Sequence, residues 1–171
     1  MKLPGFIIAL LSMSIPNAAG ACATDDNLEF LVGEWMTGAK TEAPSIVQKY
    51  QWGPAQSYIW AQTSILDPNG DEHLHFVGMI VVNRATAVHD YLFVVEPGTG
   101  AHEKGRIIRE NDGVVVRSVR LVDGAGKESE FRQRFECDKD GALTTSLERR
   151  ASDGWTPTFP GSIGMIMTKR A

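Results

Sequence analysis

Residues 128–141 read ESEFRQRFECDKDG. Alternate positions separate cleanly. Ser129, Phe131, Gln133, Phe135 and Cys137 fall on one side, and Glu128, Glu130, Arg132, Arg134 and Glu136 on the other. A period of two belongs to an extended strand, whose successive side chains point to opposite faces. The charged set is a solvated ladder of mixed sign, and the other set is an interior wall. The Asp-Gly step that closes the stretch tolerates the positive φ of a tight hairpin. Strand, tight turn and strand is therefore the local rule here.

The same rule recurs along the chain. DPNGDE (67–72), ENDG (110–113) and VDGAGK (122–127) each carry an Asn-Gly, Asp-Gly or Gly-x-Gly step between apolar runs. We read strands at 35–40, 45–52, 58–66, 74–82, 90–96, 105–110, 114–122, 128–137, 143–151 and 162–169. Short hairpins join neighbours antiparallel, and closing such a meander removes its unpaired edges. The expected fold class is all-β, an antiparallel up-and-down β-barrel of about ten strands. A short N-terminal helical turn precedes it in DDNLEFLVGEW (25–35), capped by Asp25 or Asp26, with Leu28, Leu31 and Val32 facing the core. At 171 residues, with 43% hydrophobic and 22% charged residues, the chain is the size and composition of one globular domain.

The inward faces are not purely aliphatic. In IVQKYQW the inward set is Ile46, Gln48, Tyr50 and Trp52; in LTTSLERR it is Leu143, Thr145, Leu147 and Arg149. A filled core rarely holds Gln48, Gln133, Thr145 and Arg149 together unless they meet each other, water or a ligand. This polarity points to a cavity. Arg117 and Arg120 fall on opposite faces of VVVRSVRLV, so one of them accompanies the inward apolar set.

The N-terminus, MKLPGFIIALLSMSIPNAAGACA, has one lysine, an apolar run from Phe6 to Ile15, and small residues from Ala18 to Ala23. That is the three-part layout of a signal peptide over residues 1–23, which leaves one domain over 24–171. Cleavage after Ala23 uses Ala21-Cys22-Ala23; cleavage before Cys22 leaves that cysteine first, as a lipid anchor. Either route exports the protein, to the periplasm or outside the cell, with no membrane span. Loss of Lys2 moves the formal charge from −4 to −5. No basic run exists, so nucleic acid is not an expected partner. A disulfide between Cys22 and Cys137 requires that Cys22 be retained and unmodified. His73 and His75 have the i, i+2 spacing of a chelating pair, but no third ligand is fixed beside them, and we assign no metal.

The stretch LEFLVGEWMTGAK (28–40) sets Gly33 and Trp35 at the start of the first strand. Together with FVGMIVVN, DYLFVV, GRIIRENDG and DGWTP, this Gly-x-Trp resembles the calycin superfamily. Within it the chain is similar to a bacterial lipocalin-like family of unknown function related to nitrobindin-like barrels. The resemblance covers nearly all of the chain after the leader. It implies that Gly33 lets backbone pass closely, that Trp35 plugs the closed end of a barrel, and that the interior takes a small, mainly apolar molecule. Nitrobindin-type barrels hold haem through a histidine near the C-terminus. Here the last histidine is His102, and no cofactor is expected.

No nucleophile elbow, paired-carboxylate spacing or phosphate-cradling loop is present. The expected function is binding of a small hydrophobic or amphipathic ligand. The alternatives are an enzyme of unknown reaction on the same barrel and a structural envelope protein with a filled core. The candidate ligand residues are Gln48, Tyr50, Trp52, Trp60, Arg117 and Arg149. Trp52 and Trp60 flank the GPAQS turn, where they pack on each other across the strands or, if either faces the cavity, offer a stacking surface. The inward arginine, Arg117 or Arg120, with Arg149, would hold an anionic head group or form an internal ion pair with a glutamate. Trp155 and Phe159 lie together in SDGWTPTFPGS, at one barrel end.

Overall fold

The computed structural model describes residues 28–37, 45–110, 114–137 and 142–170. Among the described residues a 3-10 turn at Glu29–Leu31 is followed by eleven strands, with a second 3-10 turn at Pro54–Gln56 between the second and third: β1 Gly33–Thr37, β2 Ile46–Trp52, β3 Tyr58–Leu66, β4 Glu72–Val81, β5 His89–Val95, β6 His102–Arg109, β7 Val115–Val122, β8 Glu128–Cys137, β9 Leu143–Ala151, β10 Gly154–Pro157 and β11 Met165–Lys169. Consecutive strands from β1 to β9 pair antiparallel. β9 then pairs with β11, and β11 with β1. Ten strands thus form a closed up-and-down barrel with no open edge along the ring. β10 is an extra arm: it pairs with β9 from Glu148 to Ala151, beyond the Leu143–Thr145 segment that β11 occupies.

The alternation read from the sequence is the alternation observed. In β5 the burial pattern is strictly periodic, with His89, Tyr91, Phe93 and Val95 buried and the residues between them exposed. Phe135 and Leu143 are buried, as is Tyr50, so β2, β8 and β9 face inward as their patterns require. Of the two arginines in β7, Arg117 is buried and Arg120 is exposed.

One end of the barrel is filled. Leu28, Leu31, Tyr50, Ile59, Ile80, Tyr91, Phe93, Ile107, Val115, Phe135, Leu143 and Met167 form a continuous core there, with Trp35 packed against it. Each fully buried large apolar side chain contributes about 1.5–3 kcal/mol. The Trp35 indole N–H donates to the Leu31 carbonyl at 2.7 Å, tying the first strand to the 3-10 turn. Gly33 holds φ +134, and a Cβ there would meet Lys169 Cε at 2.7 Å. The space left by the missing side chain is where the Lys169 chain passes to reach the Trp35 ring, 5.4 Å from its ammonium.

Three differences from the sequence reading have local causes. β6 begins at His102 and not at 105, because its early residues pair with β5 and β7 in register although they show no apolar rhythm. β10 forms in SDGWTPTFPGS, which shows no strand pattern of its own, because Gly154 and Pro157 are turn residues until a partner edge is available. A bulge falls in β4, where Thr63 pairs with Phe76 and Ser64 with Leu74, leaving His75 as the extra residue. The leader, Cys22 and the Asp25 or Asp26 cap lie outside the described residues, and the Cys22–Cys137 pairing falls there with them. Among the described residues no helix is long and apolar enough to cross a membrane.

Candidate functional site

Above the filled end the barrel opens into a cavity of about 490 Å³. That is within the ordinary range of small-molecule sites. Its wall draws on every strand of the ring, including Ile46 and Gln48 of β2, Thr63 and Ile65 of β3, Phe76 of β4, Glu103 of β6, Arg117 and Val119 of β7, Phe131 and Gln133 of β8, and Thr145 of β9. The mouth carries Glu96, Thr99, Asp123, Thr158 and Phe159.

Two glycines shape the transition from core to cavity. A Cβ on Gly105 would overlap the Ser118 carbonyl oxygen and lie 2.9 Å from Tyr91 Cε1. One on Gly78 would overlap the Leu92 carbonyl oxygen and lie 2.6 Å from Phe93 Cα. Only glycine permits these close approaches, and they let the Tyr91 and Phe93 rings sit edge to face at 5.4 Å. The two rings form a shelf. The Arg117 guanidinium lies 5.3 Å from the Tyr91 centroid and 5.5 Å from that of Phe93, a cation–π arrangement in a desolvated setting.

The polar groups around this shelf are deeply buried. Gln48 is 4% exposed, Glu103 4%, Arg117 7% and Gln133 3%. Gln48 Oε1, Glu103 Oε2, Arg117 Nε and Gln133 Oε1 have no hydrogen-bond partner among the described residues. Burial pushes the Glu103 carboxyl above its ordinary range, and the neighbouring Arg117 pulls it part of the way back. Burial works against the Arg117 charge too, but Glu103, Tyr91 and Tyr50 more than offset it, and the guanidinium stays charged. Tyr91 and Tyr50 are both pushed up by burial, with Arg117 opposing. Each unsatisfied buried polar atom costs about 1–3 kcal/mol. With the Thr158 hydroxyl oxygen, five such atoms belong to residues lining one cavity, and they mark a place shaped for something other than stability.

The candidate residues from the sequence divide. Gln48 and Arg117 line the cavity. Tyr50 is buried beneath it, in the core cluster. Trp52 is half-buried at the filled end, where its indole N–H donates to Glu29 at 2.8 Å. Trp60 pairs with Gln51, not with Trp52, so the two tryptophans face opposite sides of the wall, and Trp60 is exposed on the outside. Arg149 continues the inward series of β9 but is exposed and does not line the cavity. Two residues of the 152–162 stretch also part company: Phe159 lines the mouth, whereas Trp155 lies outside, against the guanidinium groups of Arg132 at 4.6 Å and Arg150 at 5.4 Å.

Glu103 is the residue the sequence reading missed. It lies two positions before the expected start of β6. The available signal was Ile107, four residues on and on the same strand face. His75 and Glu96 approach to 3.4 Å at the mouth, while His73 turns to Asp67 at 3.5 Å. His89 sits at the opposite end of the barrel, and among the described residues no three His, Cys, Asp or Glu side chains form a metal-binding group. Comparison with protein-family models, with curated proteins and with solved structures finds no match.

Proposed function

We propose that this protein is an exported, calycin-like barrel that binds a small amphipathic molecule in its cavity. The apolar part of the ligand lies along Ile46, Ile65, Phe76, Val95, Val119, Leu121, Phe131 and Phe159, and its polar end meets Gln48, Glu103, Arg117 and Gln133. The observation that carries this reading is the set of four buried polar side chains lining a single cavity, each with an atom lacking a partner. A filled structural barrel has no use for that arrangement, since replacing such groups with packed hydrocarbon costs nothing and often stabilises. The signal-like leader, with a lipid anchor at Cys22 as one of its two outcomes, belongs to the same proposal.

Native mass spectrometry of protein purified from its own source tests the binding claim. A retained small molecule, released on denaturation, is the expected result. A clean ligand-free mass, together with no shift of the melting temperature across a panel of amphiphiles, overturns it. The mass of the mature N-terminus in the same sample reports the fate of Cys22.

A second reading, catalysis, has one specific observation in its favour. Glu103 is a carboxyl kept from water beside Arg117, with burial raising its proton affinity, which is the environment of a general acid or base. Turnover abolished by Glu103→Gln with ligand affinity retained would establish it.

A further inference from the structure

The outside of the barrel is not the same on all sides. Nine large apolar side chains are exposed among the described residues, and six of them, Trp60, Leu74, Met79, Val81, Leu92 and Val94, stand on the adjacent strands β3, β4 and β5. Trp60, Met79 and Leu92 lie side by side in register. Val77 and Val94 pair one step towards the mouth, and Val81 continues the face towards the filled end. The six are 38% to 56% exposed, so they leave a contiguous apolar surface in water. The outward side of β8 is by contrast Glu128, Glu130, Arg132, Arg134 and Glu136.

Charge around the apolar face is one-sided. Its three strands carry two carboxylates, Glu72 and Asp90, at opposite ends. Both are engaged: Glu72 with Lys49 at 2.9 Å and Arg170 at 3.0 Å, and Asp90 with Arg106 at 3.6 Å. The flanking strand β6 turns His102, Lys104 and Arg106 outward and no carboxylate, and Lys104 stands beside Leu92. Beyond it Arg120 is taken up by Glu128 at 3.6 Å. The Asp90–Arg106 pair is largely exposed and so holds Arg106 weakly. An apolar face with a cationic edge is thus set into a chain of net charge −4.

We infer that the outer face of β3, β4 and β5 rests on an anionic lipid bilayer. Trp60, Met79 and Leu92 enter the boundary between headgroups and acyl chains, and Lys104 and Arg106 meet the phosphates. Shape and size favour this occupant over a second copy of the chain. The face measures about 10 Å across its strands and about 13 Å from Val77 to Val81, far short of the roughly 800 Å² that each partner of a stable interface buries. A barrel wall is also convex, so two copies touch along a line, whereas fluid lipid closes around each protruding side chain. The barrel lies on the bilayer and does not span it, because the apolar band stops at the charged outward side of β8.

Sedimentation with vesicles of phosphatidylglycerol and phosphatidylethanolamine, and with vesicles of phosphatidylcholine alone, tests the contact. The protein is expected to bind the anionic vesicles, more weakly as salt is raised, and Leu92→Asp is expected to lower that partition about tenfold. Ile166→Asp, at an exposed isoleucine of β11 outside the face, is expected to leave it unchanged. All variants share one N-terminus, so any contribution of the leader or of an acyl chain at Cys22 cancels in the comparison. Brominated acyl chains should quench tryptophan fluorescence in the unaltered protein, and Trp60→Phe should abolish most of that quenching. Unchanged urea midpoints confirm that these exposed positions leave the fold intact. Failure to bind anionic vesicles, equal losses for Leu92→Asp and Ile166→Asp, or quenching that survives Trp60→Phe overturns the inference. A dimer in solution that Leu92→Asp dissociates also overturns it, in favour of a second copy.

Discussion

Gly105→Ala puts the architecture of the site to a quantitative test. Gly105 sits on β6 between Glu103 and Ile107, opposite Tyr91 of β5 and Val119 of β7. The methyl group would lie 2.9 Å from the Ser118 carbonyl carbon and 2.9 Å from Tyr91 Cε1, and would overlap the Ser118 carbonyl oxygen. Carbon atoms in favourable contact are about 3.5–4.0 Å apart. A side chain could rotate away, but the Ser118 carbonyl is backbone within β7, so β6 and β7 must separate. That places the cost at the upper end of overpacking, about 3 kcal/mol. For a domain of this length each kcal/mol moves the melting temperature by about 2–4 °C, so a fall of about 6–12 °C is expected. Gly126→Ala is the comparison: it has φ +84 but nothing within 4 Å of its Cβ, so only the backbone conformation is penalised, by about 1–2 kcal/mol. Urea unfolding with unchanged slope, paired with calorimetric melting, measures both. A Gly105→Ala protein less perturbed than Gly126→Ala would refute the claim that close strand approach builds the Tyr91–Phe93 shelf.

Other outcomes follow from the same structure. Gln48→Leu removes an oxygen without a partner and breaks no side-chain hydrogen bond among the described residues, so ligand-stripped protein should gain about 1–2 kcal/mol while losing affinity; Gln51→Leu, on the outer face, should stay within about 0.5 kcal/mol by the same unfolding assay. Glu103 has a folded-state pKa raised above its ordinary 4.5, so the native state holds that proton more tightly than the unfolded chain. The stability it contributes is complete below the unfolded value and is lost as pH rises through the folded one. Urea midpoints of the wild type should therefore decline across that interval relative to Glu103→Gln, and parallel curves would contradict the assignment. Trp35→Phe removes the indole donor to Leu31 and should cost about 1–2 kcal/mol, with faster amide exchange in the Glu29–Leu31 turn as the local signature.

Nearly all of the barrel was legible in the sequence, because pleat alternation and turn chemistry are local properties. The Glu128–Cys137 strand announces its two faces residue by residue, and Asn-Gly and Asp-Gly steps set where the chain reverses. From these alone came the class, the antiparallel order, and the inward placement of Gln48, Gln133 and Thr145. Opposite faces for Arg117 and Arg120 were fixed in the same way, but which one faced inward was not.

What the tertiary structure decided depends on partners distant in sequence. Closure of β11 onto β1, the β10 arm on the free stretch of β9, and the bulge that takes His75 out of register are facts about pairing, and pairing energy is absent from any single strand. Glu103 belongs here as well: its segment has no apolar rhythm and becomes a strand only between β5 and β7. Arg149 and Trp60 failed as wall residues for the complementary reason, since alternation gives a side chain its face but not its height along the barrel or the hand of its neighbour across the turn. The site is the place where four strands bring their side chains together, Gln48 from β2, Glu103 from β6, Arg117 from β7 and Gln133 from β8. Only closing the ring puts their unpartnered atoms around one space.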